Sequence, residues 1–440
     1  MSHRITVALN ALINPANAGG SESSALSILT SFRDADHSDV EIHVTALPAY
    51  AEAMQALRGD PDKVIVWPWP EFTPVSSEAK GWWPRFLRSR INDPERLRRF
   101  DDRMRARNER AFLKYMPTAE KIDALLDEVG VDVVHFTYPV KWPTRRPFIF
   151  EPHDIQQHHF PEFFSPDVLA WRARTYAEGI NNAAFVVCGT WWTKQDIMRV
   201  YGVPASKVAV IPRSSTRARA EVGPGMEAAL AGKAGLPERF MLYPAMTFPH
   251  KNHERLLRAM AKLRDEQGLI LNLVCTGRED RNHQPELERW VKRLKLKAQV
   301  KFLGVVSDEM LATCYRRAAF IVFPSLLEGH SQSLLEALWH HKPVVAANQS
   351  SIPETVGRAA LYFNGLDVGD MVRALGQAWR DDELLAGLAA RTDGSFARYD
   401  WDRARLTLTA CYKAAAGRPL SAAEQAALDR SLLPEKPKDA

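Results

Sequence analysis

The chain has 440 residues, of which 46% are hydrophobic and 25% are charged, and its formal net charge is +5. This length predicts two domains of roughly 200 residues each rather than one core. No apolar run reaches the roughly 20 residues that a bilayer-spanning helix needs, so we expect a cytoplasmic protein. The four cysteines lack metal-binding or disulfide spacing, which predicts reduced core thiols.

Charge is distributed unevenly along the chain. Residues 80–114 contain 12 Lys or Arg against 5 Asp or Glu, with Trp82, Trp83 and Phe86 at the front. One interpretation is a solvated, salt-bridged pair of helices. The other is a peripheral contact of 82–114 with anionic lipid at the inner membrane, because aromatic side chains settle at the headgroup level and basic ones attract the negative surface. No recognised nucleic-acid-binding module accompanies the charge, so we expect no nucleic-acid partner.

Short apolar, β-branched segments predict thirteen strands. In chain order they lie at 5–9, 40–44, 64–67, 131–136, 148–150, 185–187, 208–211, 240–243, 269–274, 300–303, 320–323, 343–346 and 361–363. Helical patterns separate most of them, among them 24–32, 118–129, 254–264 and 308–317. Continuous apolar strands that alternate with amphipathic helices are typical of parallel sheets covered on both faces, so the predicted fold class is α/β.

The most linker-like stretch is 213–225, which is rich in Arg, Ser, Thr and Gly and has α/β alternation on both sides. It divides the chain into a domain of residues 1–212 and a second domain of residues 226–398. Ligands bind outside the carboxyl ends of the strands in such sheets, which predicts a site in the cleft between two doubly wound domains. The tail 419–440 is expected to be partly disordered.

Gly19 and Gly20 follow the first predicted strand and precede a helix. Their spacing is not Gly-x-Gly-x-x-Gly, and no acidic residue follows a second strand in the expected place, so the dinucleotide-binding fingerprint is absent. The pair either lets the backbone approach a bound ligand closely or makes a tight turn.

His153 and Asp154 lie at the end of the strand predicted at 148–150, where they would face the cleft. The alternative for His153 is a strand-end histidine that hydrogen bonds to the backbone. His158 and His159 follow closely, which raises the question of zinc. The order His-x4-His-His lacks clear third and fourth ligands, and we predict no metal.

Lys251 follows the strand predicted at 240–243 and stands just before a helix that Asn252 is expected to cap. A lysine at this point can reach a phosphate held at the helix end and offset its charge. The alternative is a solvent-exposed loop lysine.

Glu328 and Glu336 stand eight positions apart, the first in the loop after the strand at 320–323 and the second on the helix that follows. Anionic phosphate fits the unpaired amides of such a helix start, and carboxylates nearby can accept hydrogen bonds from sugar hydroxyls. Ser333 and Glu336 also fit a capping box, which would explain Glu336 but not Glu328.

Together these segments resemble the GT-B glycosyltransferases, in particular the retaining enzymes of family 4. The resemblance extends from Gly19-Gly20 through His153-Asp154 and Lys251-Asn252 to Glu328-x7-Glu336, and continues through 343–346 and 350–354. It implies two Rossmann-like domains that face each other across a cleft, with a C-terminal helix, 399–418, crossing back to the first domain. The stretch 153–164 is similar to a subgroup that includes bacterial mannosyltransferases of surface polysaccharide assembly.

The resemblance also implies an activity and roles for residues. Such enzymes move a hexose from a nucleotide diphosphate sugar to a hydroxyl of a glycan or lipid-linked acceptor, with retention and without a metal or other cofactor. Mannose is favoured, with GDP-mannose as donor and a UDP-sugar as the second candidate. Glu328 would bind the donor sugar, Lys251 the diphosphate and Glu336 the ribose, and His153 would lie beside the transferred sugar. The other implied site residues are Gly329, His330, Ser331 and Gln332 near sugar and phosphate, Val305 near the base, and Gly19, Gly20 and Asp154 on the acceptor side.

Three positions depart from the family pattern. Ala245 stands where an arginine usually precedes the phosphate lysine by six residues. Arg278, Arg213 and His250 are the candidates to meet the phosphate charge instead. The usual Gly-Phe-Gly after the first glutamate is Gly329-His330-Ser331, and the usual Asn-Gly after the Ile-Pro pair is Arg213-Ser214.

Two other function classes remain open at this stage. A sugar-nucleotide epimerase of similar fold would convert the donor without an acceptor. A non-catalytic two-lobed nucleotide- or carbohydrate-binding protein would bind without turnover.

Overall fold

The computed structural model describes residues 4–13, 20–33, 39–68, 117–214 and 220–437, together with residues 93, 96, 99, 100 and 103. Gly19 and all of 82–114 apart from those five single residues lie outside the described residues. The chain forms two compact units. The N-terminal unit comprises Met1–Gly189, Lys194–Ile211 and Trp401–Asp439, and the C-terminal unit comprises Thr190–Thr193 and Pro212–Asp400.

The N-terminal unit contains a seven-stranded, fully parallel sheet. Its strands are β1 Ile5–Asn10, β2 Val40–Ala46, β3 Val64–Val66, β4 Val133–Phe136, β5 Phe148–Phe150, β6 Phe185–Cys188 and β7 Val208–Val210. Their order in the sheet is β3-β2-β1-β4-β5-β6-β7. Nearly every strand side chain is buried, as expected for parallel strands covered on both faces.

The C-terminal unit contains a six-stranded parallel sheet in the order β10-β9-β8-β11-β12-β13. Its strands are β8 Met241–Pro244, β9 Leu273–Thr276, β10 Val300–Phe302, β11 Phe320–Phe323, β12 Val344–Ala347 and β13 Ala360–Phe363. All thirteen predicted strands and the α/β class are confirmed. The strand predicted at 269–274 begins only at Leu273. The polar Asn272 precedes it, and its Nδ2 donates a hydrogen bond to Arg239 O.

Helices separate the strands in both units. The described residues form α1 Gly20–Arg33, α2 Ala51–Arg58, α3 Ala119–Val129, α4 Gln156–His159, α5 Pro166–Asn182, α6 Trp191–Tyr201, α7 Pro224–Ala234, α8 His253–Gln267, α9 Gln284–Arg293, α10 Asp308–Arg317, α11 Gln332–Trp339, α12 Ile352–Val356, α13 Val368–Arg380, α14 Asp382–Ala389, α15 Thr392–Phe396, α16 Trp401–Ala415 and α17 Ala422–Ser431. Capping residues fix where some helices begin: Ser307 caps α10 and Asp367 caps α13 through side-chain oxygens.

Each sheet reverses its strand order once, and the reversal marks where a ligand is expected. The reversal falls between β1 and β4 in the N-terminal sheet and between β8 and β11 in the C-terminal sheet. Ligands of open α/β sheets bind at such switch points, outside the carboxyl ends of the strands. Each unit therefore has one edge at which site residues should gather.

The two C-terminal helices pack into the N-terminal unit, where α16 contacts α1, β1 and β5. The Tyr412 hydroxyl lies 2.8 Å from Nδ1 of His135, whose Nε2 lies 2.9 Å from Glu151 Oε1. This buried network joins α16 to β4 and to the residue after β5. Partial disorder was expected beyond Arg418, but 422–431 is helical because Ser421 and Glu424 form a capping box.

The four cysteines are buried free thiols, as predicted. Burial raises the pKa of Cys275, Cys314 and Cys411, which keeps these thiols protonated. None of the helices formed by the described residues is long and apolar enough to cross a membrane.

Candidate functional site

The loops at the carboxyl ends of the C-terminal sheet are hydrogen bonded to one another. Thr247 N, after β8, donates to Arg278 O, after β9, at 3.2 Å. On the other side of the switch point, Leu326 N, after β11, donates to His250 O at 2.8 Å. The loop after β8 is therefore connected to those of both neighbouring strands, which gives the site a rigid frame.

Gly277 brings the loops after β8, β9 and β10 close together. Its N–H donates to Gly304 O at 2.8 Å, and its φ is 124°. A Cβ atom at this position would lie 2.8 Å from the backbone carbon and oxygen of Ala245. Only glycine is compatible with both the backbone conformation and this close approach.

We expect Gly277→Ala to lower the free energy of unfolding by roughly 2 kcal/mol, because the loop after β8 must move. Urea titration would measure the loss. Gly268→Ala is the matched control, since Gly268 also has a positive φ, 62°, but a Cβ there meets nothing within 4 Å. Equal losses in the two variants would contradict the role of close packing against Ala245.

Lys251 and Glu328 meet at the β8/β11 switch point. Lys251 ends a 3-10 turn, Pro249–Lys251, after β8, and its Nζ lies 2.6 Å from Oε1 of Glu328, in the loop after β11. Their side chains are 16% and 8% exposed, so the lysine is not the solvent-exposed residue of the alternative interpretation. An ammonium and a carboxylate are thus held together at the point where the fold predicts a ligand.

Hydroxyl groups fix the main chain at Glu328 and Gly329. Glu328 N donates to Ser350 Oγ at 2.9 Å, and Ser351 Oγ donates to Glu328 O at 2.7 Å. Gly329 O accepts from Thr190 Oγ1 at 2.8 Å and from Thr193 Oγ1 at 2.9 Å. Thr190 and Thr193 are far from Gly329 in the sequence, and no local pattern pointed to them.

The segment that carries these threonines is itself anchored within the C-terminal unit. Glu354, on α12, accepts from Trp191 N at 2.8 Å and from Trp192 N at 2.9 Å through its two carboxylate oxygens. A carboxylate suits these amides because they lie at the start of α6, where the helix dipole favours negative charge. Glu354 belonged to the resemblance, but its partners could not be read from the sequence.

Glu336 lies on α11, which begins at Gln332. Its Oε2 accepts from the Tyr315 hydroxyl at 3.0 Å, and the side chain is buried. The capping-box alternative is wrong, because Ser333 lies inside the helix and donates to Pro244 O at 2.7 Å. The structure thus pairs Lys251 with Glu328 and places Glu336 against Tyr315.

The expectation that Asn252 caps α8 is also wrong. Asn252 occupies the N-cap position, but its side chain accepts no hydrogen bond from a backbone N–H of the first turn. Its Nδ2 donates instead to Pro324 O at 2.9 Å and to Gly365 O at 2.8 Å. Its φ is 62°, which differs from the extended backbone of most N-cap residues and turns the amide away from the helix.

Most other predicted donor-side residues lie on the same edge of the C-terminal sheet. Ser331 precedes α11 and is buried, and Gln332 begins the helix. His330 lies between Gly329 and Ser331, and its Nε2 lies 2.8 Å from Arg213 O. Arg213, which the sequence analysis placed in a linker, is buried.

The remaining predicted residues of this unit differ in exposure. Val305 is 62% exposed in the loop after β10. Arg278 is exposed in the loop after β9, whereas His250 is buried beside the ring of Phe248.

In the N-terminal unit, His153 lies after β5, and its Nε2 lies 2.6 Å from Thr137 O in the loop after β4. The φ of His153 is 61°, an unusual conformation for a residue with a side chain. Asp154 Oδ1 accepts from Gln156 N at 3.2 Å, and Gly20 begins α1. The backbone hydrogen bond of His153 agrees with the alternative interpretation of this histidine.

A polar network that was not predicted lies at the β1/β4 switch point. Thr137 Oγ1 donates to Asn10 O at 2.8 Å, and the Tyr138 hydroxyl donates to Asn10 Oδ1 at 3.1 Å. Asn10 Nδ2 donates to Val140 O at 2.8 Å. The sequence did contain a signal for this network, namely an asparagine at the end of an apolar strand.

The two histidines that raised the question of zinc have other partners. His159 Nε2 lies 2.6 Å from Asp196 Oδ2, and His158 Nε2 lies 3.0 Å from the Tyr201 hydroxyl. The described residues contain no group of three or more His, Cys, Asp or Glu side chains arranged to hold a metal ion.

His253, the first residue of α8, is 1% exposed, and neither ring nitrogen has a hydrogen-bond partner among the described residues. Its ring centroid lies 4.6 Å from that of Tyr243, whose hydroxyl donates to Lys251 O at 2.7 Å. Burial, with smaller contributions from His283 and Lys251, lowers the pKa of His253 from 6.5 to about 3. The neutral ring therefore packs against Tyr243, whose hydroxyl holds the backbone of Lys251.

The lowered pKa of His253 predicts acid sensitivity. The unfolded chain binds a proton below about pH 6.5 that the folded chain refuses until about pH 3, so stability is lost as pH falls through this window. We expect this residue to account for roughly 2 kcal/mol of lost unfolding free energy between pH 7 and pH 5. Urea titrations at both pH values should show a smaller loss in His253→Phe than in the wild type. An equal loss would contradict the assignment.

The sequence matches two glycosyltransferase families. Residues 18–214 match the family described as Glycosyltransferase Family 4, and residues 231–392 match the family described as Glycosyl transferases group 1. Together the two matches cover most of the chain.

Several curated relatives are named as mannosyltransferases, and others, from Streptomyces species, as D-inositol 3-phosphate glycosyltransferases. The chain is 27% identical over 270 residues to O-antigen chain mannosyltransferase B of Escherichia coli, covering 59% of the chain and 68% of that protein. It is 27% identical over 250 residues to O-antigen chain mannosyltransferase RfbU of Salmonella typhimurium, covering 57% of the chain and 65% of that protein. The match to the Escherichia coli serotype-specific mannosyltransferase WbdA spans only 24% of that longer protein.

Solved glycosyltransferase structures share the fold over nearly the whole chain. Sucrose-phosphate synthase of Thermosynechococcus elongatus aligns with a TM-score of 0.66 and 18% identity, covering 93% of this chain and 99% of that one. The Anabaena protein HepE, solved in complex with UDP and glucose, aligns with a TM-score of 0.63 and 16% identity, covering 92% and 98%. The chain belongs to the GT-B glycosyltransferases of family 4 and is a transferase enzyme.

Proposed function

We propose that this glycosyltransferase transfers mannose from a nucleotide diphosphate sugar, with GDP-mannose as the favoured donor, to a hydroxyl of a glycan or lipid-linked acceptor. The observation that carries the proposal is the Lys251–Glu328 pair at the β8/β11 switch point. An ammonium suits a diphosphate, and a carboxylate beside it suits the sugar hydroxyls of the same donor. The relatives named as O-antigen mannosyltransferases support mannose and a surface-polysaccharide acceptor.

In this proposal the donor separates the ion pair. Lys251 Nζ turns from Glu328 to the diphosphate and offsets the charge that develops as the nucleotide leaves, which is the main electrostatic demand of the reaction. Glu328 then accepts hydrogen bonds from the sugar. Glu336, oriented by the Tyr315 hydroxyl 3.0 Å away, accepts from the ribose.

The start of α11 supplies further donors. Backbone amides of Gly329, His330, Ser331 and Gln332 are proposed to meet the sugar and the phosphates, because they lie in or just before the start of α11, where the helix dipole favours an anion. Val305 is proposed to face the base. Arg278 is proposed to supply the additional phosphate charge.

The N-terminal unit is proposed to serve the acceptor through His153, Asp154, Gly19 and Gly20. We propose retention of anomeric configuration without a protein nucleophile. Lys251 provides the counter-charge on the diphosphate, so the proposed reaction needs no metal. A cytoplasmic site of action, at the membrane where the acceptor is lipid-linked, completes the proposal.

A panel of nucleotide sugars tests the donor. A ligand that binds only the native state raises the melting temperature, so GDP-mannose should stabilise the protein more than UDP-glucose, UDP-galactose or GDP-fucose at equal concentration. Stabilisation by a UDP-sugar alone would refute the donor assignment while leaving the glycosyltransferase class intact.

A product assay tests the reaction. With GDP-mannose and a mannose-terminated oligosaccharide acceptor, we expect an α-linked product by NMR and equal turnover with and without EDTA. Conversion of the donor with no acceptor present would identify an epimerase instead. A β-linked product from the α-linked donor would refute retention.

A further inference from the structure

We infer that Asn252 is a positioning residue. It fixes the relative position of the loops that carry Lys251 and Glu328 while the donor separates the two charged groups. This inference rests on the proposed function in one respect, namely that Lys251 meets the diphosphate. The residue is distinct from the pair itself, since its side chain touches neither partner and acts on the loops that carry them.

The side-chain amide of Asn252 donates both of its Nδ2 hydrogens and accepts at Oδ1 from neighbouring structure. Both Nδ2 hydrogens are donated, one to Pro324 O and one to Gly365 O, at 2.9 and 2.8 Å. Its Oδ1 accepts from Arg255 Nη1 at 3.0 Å. The residue is 3% exposed, so water cannot easily replace these bonds.

Through these contacts, the Nδ2 atom of Asn252 connects the loops after β8, β11 and β13. Pro324 follows β11 and precedes Glu328 by four residues, whereas Gly365 follows β13. The hydrogen bond from Leu326 N to His250 O lies beside them and joins the same two loops as the Asn252–Pro324 bond. The backbone of Lys251, one residue from Asn252, is therefore tied to the segment that carries Glu328 by bonds that do not involve either charged group.

This independence matters because the ion pair cannot hold the site together during catalysis. When the donor draws Lys251 Nζ away from Glu328, the attraction between the two loops is lost. The hydrogen bonds from the Asn252 side chain remain in place during that step, so the ammonium of Lys251 stays where the diphosphate charge develops. Preorganised charges of this kind are effective because little reorganisation accompanies the reaction.

The backbone restricts which residues can serve. A φ of 62° is accessible to asparagine, aspartate and glycine with little strain. Glycine keeps the turn but provides no donor, and aspartate would place carboxylate oxygens against two carbonyl oxygens. Asn252→Gly therefore removes the three-loop connection with the least disturbance of the backbone.

The test measures GDP affinity by calorimetric titration and the melting temperature in Asn252→Gly. Asn272→Ala is the matched control, because Asn272 makes a comparable amide-to-carbonyl bond, to Arg239 O at 2.9 Å, at the amino ends of β8 and β9. We expect Asn252→Gly to weaken GDP binding about tenfold and the control to leave it unchanged, with the melting temperature showing that both variants are folded. Unchanged affinity in Asn252→Gly would overturn the inference.

A double-variant cycle separates positioning from general loosening of the fold. If Asn252 acts through Lys251, adding Asn252→Gly to Lys251→Met should weaken GDP binding no further than Lys251→Met alone. Additive losses would show that Asn252 acts by another route and would refute the inference. If Lys251→Met itself left GDP binding unchanged, the proposed function would fail instead.

Should Asn252→Gly fail to yield folded protein, Asn252→Asp takes its place in the same cycle. Aspartate keeps the acceptor for Arg255 and removes both donors. The same non-additive loss of GDP affinity is expected, and additivity or wild-type affinity would again refute the positioning role.

Discussion

Replacing Glu328 with glutamine is expected to lower the rate of mannose transfer by about a hundredfold to a thousandfold while leaving GDP binding at least as tight as in the wild type. Glutamine has the shape of glutamate but lacks the charge, so it accepts weaker hydrogen bonds from the donor sugar. The carboxylate lies 2.6 Å from Lys251 Nζ and competes with a diphosphate for that ammonium. Its removal frees the ammonium for GDP.

This opposite response of rate and affinity is the diagnostic result for Glu328→Gln. Initial rates and calorimetric GDP titrations on the same preparation would measure it. Glu254→Gln is a suitable control, because the Glu254 side chain on α8 is 36% exposed and its ion pair with Arg258 spans 3.7 Å. Wild-type turnover in Glu328→Gln, or a marked loss of GDP affinity, would contradict the role assigned to this carboxylate.

Replacing Lys251 with methionine should weaken GDP binding about tenfold to a hundredfold, because a charge-assisted contact with the diphosphate is lost. The variant should also lose roughly 2 kcal/mol of unfolding free energy. Glu328 is only 8% exposed and would be left without its counter-ion. Calorimetric titration and urea unfolding would measure the two effects.

The combination of Lys251→Met with Glu328→Gln separates stability from binding. The double variant has no uncompensated charge, so its unfolding free energy should return close to that of the wild type, whereas its GDP affinity should stay low. Lys262→Met provides a control on α8, since Lys262 is 44% exposed. Recovery of GDP affinity in the double variant would contradict the assignment of Lys251 to the diphosphate.

The strands and the Lys251–Glu328 pair were accessible from sequence for a common physical reason. Parallel strands are buried on both faces, so each is a continuous apolar run, and the polar residue that follows marks the carboxyl end of the sheet. Lys251 and Glu328 both occupy such positions. The switch point that brings them together depends on strand order, which the local pattern does not encode.

The supports of the pair could not be predicted, because they depend on contacts distant in the chain. Thr190 reaches Gly329 across 139 positions, and Asn252 reaches Gly365 across 113. Asn252 was misread as a helix cap because asparagine before a helix usually caps it. Its left-handed backbone and its use as a cross-loop donor become visible only when the loops after β11 and β13 are placed.

The N-terminal unit takes its last segment, Trp401–Asp439, from the end of the chain, whereas the C-terminal unit is almost continuous from Pro212 to Asp400. During synthesis on the ribosome, His135 of the β1–β7 sheet therefore cannot form its hydrogen bond with Tyr412 until the last segment has been translated. The half translated second can complete its core before the half translated first. This reverses the usual amino-to-carboxyl order of domain folding.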